Sequence, residues 1–362
     1  MTALRGRNPK DFTIISEANF WSSKAFRIAF NAECKDVHYL ADVDENSLLV
    51  HAANANNRNL VEELLHELDN ISKERKKSLA QFLTKSAKSL CAHKDIYLLE
   101  KICEKGHVDA NDILPNIIEY GSVDAIEFLL QSGADVNYRS KKGENLLHIA
   151  SLHGRLDIVK LLHSINPNLV KEFDNNQRSV IHSAASGGNV DILKFLIPLG
   201  LNLLFNDSTG WNLLHYACWH AKKDMVEYLF DKYPNMLCSR TDEGMSVLSC
   251  AAFGGNIYIF KKMLEVLDSL LRDGYSFNSY ANAAHSITYK MKIIDQKTLL
   301  HMSCLGGTLE MTKYLVETYF IMLHEVDIGK STPAHHAAAG GNIAVLTYLI
   351  DCGTDPRCRN SE

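Results

Sequence analysis

Proline is scarce in this chain, at 7 of 362 residues, and no stretch approaches the ~18 consecutive apolar residues of a membrane span. Cysteine is modest and odd in number, at 9, and no C-x-x-C pair occurs, so neither a disulfide framework nor a zinc site is suggested. Residues 1–12 carry no apolar run of the signal-peptide kind, and the cysteines are therefore expected to be reduced thiols in a cytoplasmic compartment. Charge of one sign is lacking as well: 38 Lys and Arg stand against 43 Asp and Glu, a net charge of −5. A chain whose main work is gripping phosphates would be basic, so direct binding of nucleic acid is not expected. Phosphate-cradling loops are missing too. The tetrapeptide at 329–332, GKST, ends like a P-loop but lacks the earlier glycine. With 46% hydrophobic and 22% charged residues, disorder is excluded and a sizeable core is allowed.

What is present is a repeat. The segments NLLHIASLHGRLDIVKLL (145–162), SVIHSAASGGNVDILKFL (179–196) and NLLHYACWHAKKDMVEYL (212–229) align at once. Each has a small anchor residue, Gly or Ala four later, Asp seven later, and then an apolar helical run. Anchors fall at Ala52, Ile117, Ala150, Ala184, Ala217, Ala251, Ser303 and Ala337, with spacings of 65, 33, 34, 33, 34, 52 and 34. The 65 is close to two periods, so a degenerate repeat is expected at about 79–109, its second helix visible at 95–106. The 52 is one period plus an insertion, at 268–296.

This pattern resembles the ankyrin repeat family. Its T-P-L-H-x-A signature stands here as TPAHHA (332–337), relaxed elsewhere to NLLHIA, SVIHSA, NLLHYA and TLLHMS. The GADVN that typically closes a repeat stands at Gly133–Asn137. The resemblance covers about residues 46–356 and implies an all-α solenoid of stacked helix–turn–helix repeats with short hairpins. Residues 1–45 are expected to be an N-terminal helical cap, 46–267 repeats one to seven, and 297–362 repeats eight and nine with the C-terminal end. Either the last helix pair is its own cap or more protein follows.

Local chemistry supports the same shape. Ser179, Ser246, Thr298 and Thr332 are placed to cap first helices, with Pro333 at a first helical position. Gly188, Gly255, Gly307 and Gly341, four after their anchors, suit left-handed helix ends. No repeat can bury its apolar face alone, so neighbours must cover it.

A search for chemistry yields no catalytic, cofactor or metal residues. His148, His182, His215, His301 and His335 fall on the signature position, which the resemblance makes structural, the ring bonding backbone between repeats. Cys218, Cys250 and Cys304 lie beside anchors, where small residues pack, and are read as buried. His301 and Cys304 share a helix, but nothing supplies an orienting group or oxyanion hole.

In such arrays, the resemblance implies, partners dock on the concave face and turn tips, at the second and third residues after each anchor and just before each opening residue. Tyr120, Leu152, Trp219, Phe253 and Leu305 would form an apolar stripe, with His153 and His220 beside it and Trp211 and Met245 at its edge. These side chains either meet a partner protein or fold inward and pad the first helices. Two expectations follow. One is a monomeric, non-catalytic scaffold; with 27 Asn hinting at an AT-rich genome, it could be a bacterial effector delivered into a host cytoplasm. The other is the targeting half of an enzyme whose catalytic region involves the insertion or lies beyond residue 362.

Overall fold

A computed structural model describes residues 52–53, 57–69, 97–98, 101, 103, 109–120, 122–272, 296–318 and 323–361. The expected cap at 1–45, most of the degenerate repeat at 79–109 and most of the insertion lie outside the described residues. The chain divides into two bodies, 1–138 and 139–362. The first contains α1 (Arg58–Asp69), α2 (Ala110–Tyr120) and α3 (Val123–Gln131). Helices α2 and α3 pack as a pair around buried Ile113, Ile117, Ile126 and Leu129. Ser122 caps α3 by accepting from Ala125 N at 3.2 Å.

Among the described residues the second body holds six helix pairs, and each pair is one repeat: α4 (Leu146–Leu152) with α5 (Leu156–Ile165), α6 (Val180–Gly187) with α7 (Val190–Leu196), α8 (Leu213–Trp219) with α9 (Lys223–Lys232), α10 (Val247–Gly254) with α11 (Ile257–Arg272), α12 (Leu299–Gly306) with α13 (Leu309–Thr318), and α14 (Pro333–Ala339) with α15 (Ile343–Asp351). No strand occurs among the described residues; isolated antiparallel bridges Arg139–Asn145 and Arg240–Ser246 close two turns. The first helices α4, α6, α8, α10, α12 and α14 are neighbours in that order. Helices α10 and α12 touch directly although their anchors are 52 residues apart, so the extra residues leave the file unbroken. Helix α11 continues to Arg272 and absorbs the start of the insertion.

The anchors explain the close approach. Ala150, Ala184, Ala217 and Ala337 are wholly buried. A Cβ on Gly187 would overlap the Leu152 carbonyl oxygen, on Gly254 that of Cys218, and on Gly306 that of Phe253. Helices α6, α10 and α12 thus end against the end of the one before, at a distance only glycine permits. The chain then leaves through a left-handed residue: Gly188, Gly255, Gly307 and Gly341 have φ of 81°, 75°, 79° and 70°.

Histidine stitches the same row. The backbone N–H groups of Ser179, Asn212, Thr298 and Thr332 donate to Nδ1 of His182, His215, His301 and His335 at 3.1–3.2 Å, closing capping boxes. In His182 and His301 the ring proton therefore sits on Nε2, whereas His215 Nδ1 also lies 2.8 Å from the acceptor Asn212 Oδ1. From Nε2 His182 donates to Phe205 O at 3.0 Å and His301 to Ser331 O at 3.1 Å. His148 Nε2 lies 3.0 Å from Arg178 O. His215 Nε2 faces Met245 O in the same register without closing a hydrogen bond. Burial holds His182 and His215 down to about 4.

Second helices meet differently. Lys194 lies over the Tyr228 ring at 5.9 Å, Lys223 over Tyr258 at 4.3 Å, Lys261 over Tyr314 at 4.8 Å and Lys313 over Tyr348 at 5.6 Å. One cation–π contact links each pair of successive second helices from α7 to α15.

Candidate partner-binding surface

The turn before α8 is built on one aspartate. Asp207, largely buried, accepts from Thr209 N and Trp211 N at Oδ1, both at 2.9 Å, and from the Tyr216 hydroxyl at Oδ2, at 2.5 Å. Burial raises this carboxyl, but those hydrogen bonds outweigh it and hold it below the usual range. Burial, then Asp207, pushes the Tyr216 hydroxyl up. Trp211 is thereby fixed by its own backbone, its ring 5.1 Å from Tyr216 and 5.3 Å, edge on, from Trp219. Trp219, the last residue of α8, stacks face to face on Phe253 of α10 at 3.6 Å and 12°. Trp211, Tyr216, Trp219 and Phe253 are each half-buried, so the cluster keeps a solvent face.

The other expected residues are placed as follows. Leu152 ends α4 and is 40% exposed; His153 caps it and is exposed. His220 caps α8 and is exposed; partial shielding of its ring, then the Lys222 charge, lowers its pKa. Met245 and Leu305 are half-buried. Tyr120 closes α2 in the first body. The two residues following each anchor by two and three do not behave as freely variable positions. Ser186 is buried, and Gly187, Gly254 and Gly306 are held by carbonyls of the preceding repeat, because first helices end in contact. Side chains stand open there at Leu152, His153, Trp219, His220, Phe253, Leu305 and Ala339.

Sequence reasoning missed the turn residue ten before the anchor. Asp174, Asp207 and Asp327 all occupy it, all are largely buried, and each accepts from the backbone N–H four residues later, at 2.8–2.9 Å. Their second oxygens take different partners: Arg178 Nε, the Tyr216 hydroxyl and, at 2.9 Å, His336 Nε2. The recurrence of Asp at that offset was a readable signal.

The buried thiols are inert. Burial pushes Cys304 up to about 12 and Cys218 higher still. His301, its neighbour on α12, spends Nδ1 on Thr298 and Nε2 on Ser331 O. Among the described residues no cluster of His, Cys, Asp and Glu could hold a metal, and no helix is long and apolar enough to cross a membrane.

Comparison with known proteins agrees with the repeat geometry. A family model described as ankyrin repeats (3 copies) matches residues 163–237 and 248–360, and one described as ankyrin repeats (many copies) matches 114–163. The chain is similar to the ankyrin repeat protein nuc-2 of Neurospora crassa, 24% identical over 273 residues, covering 68% of this chain and 25% of that protein. It is also similar to alpha-latrocrustotoxin-Lt1a of Latrodectus tredecimguttatus, 24% identical over 316 residues, covering 66% of this chain and 21% of that one. The nuclear factor NF-kappa-B p105 subunit of Gallus gallus is 21% identical over 285 residues, covering 76% and 27%. The chain spans about a quarter of the length of these relatives.

Proposed function

The chain belongs to the ankyrin repeat family, and from that premise we propose that it is a non-catalytic scaffold holding a partner protein against its turn tips and first-helix ends. Ankyrin repeats generally mediate protein–protein interaction. The observation that carries the assignment of the surface is the half-exposed ring cluster of Trp211, Tyr216, Trp219 and Phe253. Aromatic side chains of this kind dominate interface hot spots, and a partner would cover what the fold leaves open. A preformed surface also loses little entropy on docking. Leu152, His153, His220, Met245 and Leu305 would border the contact.

The protein acts in this proposal as a monomer in a reducing cytoplasm, where free Cys218, Cys250 and Cys304 are stable. The Asn-rich composition extends the proposal to delivery into a host cell; a translocation reporter that stays silent would remove that extension. The competing reading, an array that targets a catalytic region elsewhere in a longer protein, draws on the length of the relatives, of which the chain spans about a quarter.

The test compares wild type with Trp211→Ala/Trp219→Ala. Proteins captured by wild type and lost from the variant, with unchanged circular dichroism, support the surface. Capture that is equal for both, or a variant that is unfolded, assigns these rings to the core instead.

A further inference from the structure

The turns beside the ring cluster carry a gradient of charge. Successive tips are joined by backbone hydrogen bonds, Asn175 N to Lys142 O, Ser208 N to Asn176 O and Asp242 N to Thr209 O, at 2.9–3.0 Å. They therefore stand in a fixed row in the order 142, 175, 208, 242. The first turn, 139–144, holds three basic residues and one acidic. Glu144 is paired with Arg178 at 3.3 Å, and Arg139 with Glu172 at 3.0 Å, which leaves Lys141 and Lys142 exposed. The second tip, Asn175 and Asn176, and the third, Ser208 and Thr209, are uncharged. The fourth turn, 240–245, holds one basic residue and two acidic. Arg240 donates to Gly244 O at 2.8 Å, and Asp242 and Glu243 are exposed. None of Lys141, Lys142, Asp242 and Glu243 enters an ion pair among the described residues.

The ring cluster sits between these poles. Trp211 belongs to the third turn and touches Trp219 at the end of α8, which joins the row of tips to the row of helix ends. Two charges beside it are consumed within the protein: Asp207 by Tyr216 and Trp211 N, Arg178 by Asp174 and Glu144. An ionic group brought onto the rings would lose its water against an apolar surface.

We propose that the surface is polar from end to end and fits a peptide segment of matching polarity. The segment has an uncharged aromatic or aliphatic anchor on Trp211, Trp219 and Phe253, acidic side chains toward Lys141 and Lys142, and basic side chains toward Asp242 and Glu243. This rests on the docking surface proposed above and adds the partner's charge order. Neighbouring helices stand about 10 Å apart, so three steps cover about 30 Å. About nine or ten residues of extended chain span that distance.

Blocked, fluorescein-labelled peptides of three charge patterns test it by anisotropy against the full chain in about 50 mM salt, where charges act over more than 10 Å. All share a Leu-Phe-Leu centre. One has Glu on one flank and Lys on the other, made in both chain directions; one has Glu on both flanks; one has Lys on both. The mixed peptide is expected to bind about tenfold more tightly than either uniform one, as several exposed pairs together allow. Lys141→Glu/Lys142→Glu weakens the mixed peptide several-fold and favours the all-Lys peptide. Asp242→Lys/Glu243→Lys favours the all-Glu peptide, and all four changes together restore the mixed one. Equal affinity for the three peptides, or binding of none, overturns the charge order. Trp211→Ala/Trp219→Ala separates the two claims: loss of every peptide with no charge preference in wild type leaves the docking surface standing alone, whereas unchanged binding removes the surface itself.

Discussion

First helices meet first helices through alanine, glycine and buried histidine; second helices meet second helices through lysine and tyrosine. The first contact is closed to water. Ala184, Ala217, His182, His215 and His301 are essentially inaccessible, and the helix ends meet at glycine. The second contact lies open at its rim: Lys194, Lys223, Lys261 and Lys313 are exposed. Packing density and desolvation therefore concentrate in one row, and the other row adds small increments. The half-exposed rings lie where the closed row reaches the surface, which gives a rigid base to side chains that remain accessible.

Acid should break this asymmetry most strongly. His182 and His215 are held to about 4, against about 6.5 in an unfolded chain. Below pH 6.5 the unfolded state binds protons that the folded state refuses, so stability rises with pH between about 4 and 6.5. The stabilisation is complete above the unfolded value and is lost as pH falls toward the folded one. Each histidine then costs on the order of 3 kcal/mol between pH 7 and 4. Asp207 and Asp327 respond only lower, through their own depressed values. Urea midpoints measured from pH 7 to 4.5 should fall steeply, and His182→Gln should flatten the slope. A flat profile in wild type would mean that these rings titrate freely.

A single side chain added in the closed row should act next. Gly306 has an ordinary helical backbone, so a substitution there is penalised by crowding alone, against Phe253 O. Gly306→Val should cost about 3 kcal/mol in denaturant unfolding, because α12 must retreat from α10. A loss under about 1 kcal/mol would show that the helix ends can part cheaply.

Much of the closed row was legible in advance, and for physical reasons. The spacing of Ala150, Ala184 and Ala217 records the step of the stack. Thr332 followed by Pro333 marks a helix start, and Gly188 and Gly255 mark left-handed exits. The 52-residue spacing was readable as an insertion because everything after it returns to register, and α10 does touch α12. Other features were not legible. Gly187 and Gly254 looked like free positions, since a missing side chain signals either no constraint or a steric one, and sequence does not distinguish them. The left-handed turn site filled by Gly143, Gly210 and Gly244 is occupied by Gln177 and Lys330 elsewhere, and Ala221 stands where other repeats leave a helix through glycine. The expected stripe named Trp211, Trp219 and Phe253, but not that Asp207 fixes the first or that Tyr216 joins them. That linkage depends on side-chain direction, which a repeat pattern does not encode.

The open row offers the smallest effect and the sharpest check on its chemistry. Lys261 and Tyr314 lie on α11 and α13, which bracket the insertion, and their contact is 4.8 Å. Tyr314 also meets the buried Phe260 ring edge on at 6.1 Å. Truncating the tyrosine alone would therefore mix two losses. A double-mutant cycle removes the ambiguity: Lys261→Met keeps the aliphatic stem, Tyr314→Leu removes the ring, and the coupling isolates what the ammonium gains from it. A coupling of about 0.5–1 kcal/mol is expected for an exposed cation–π pair. If it is indistinguishable from zero, the repeated Lys–Tyr register is a consequence of helix spacing, and α11 meets α13 through apolar packing such as Tyr314 on Phe260.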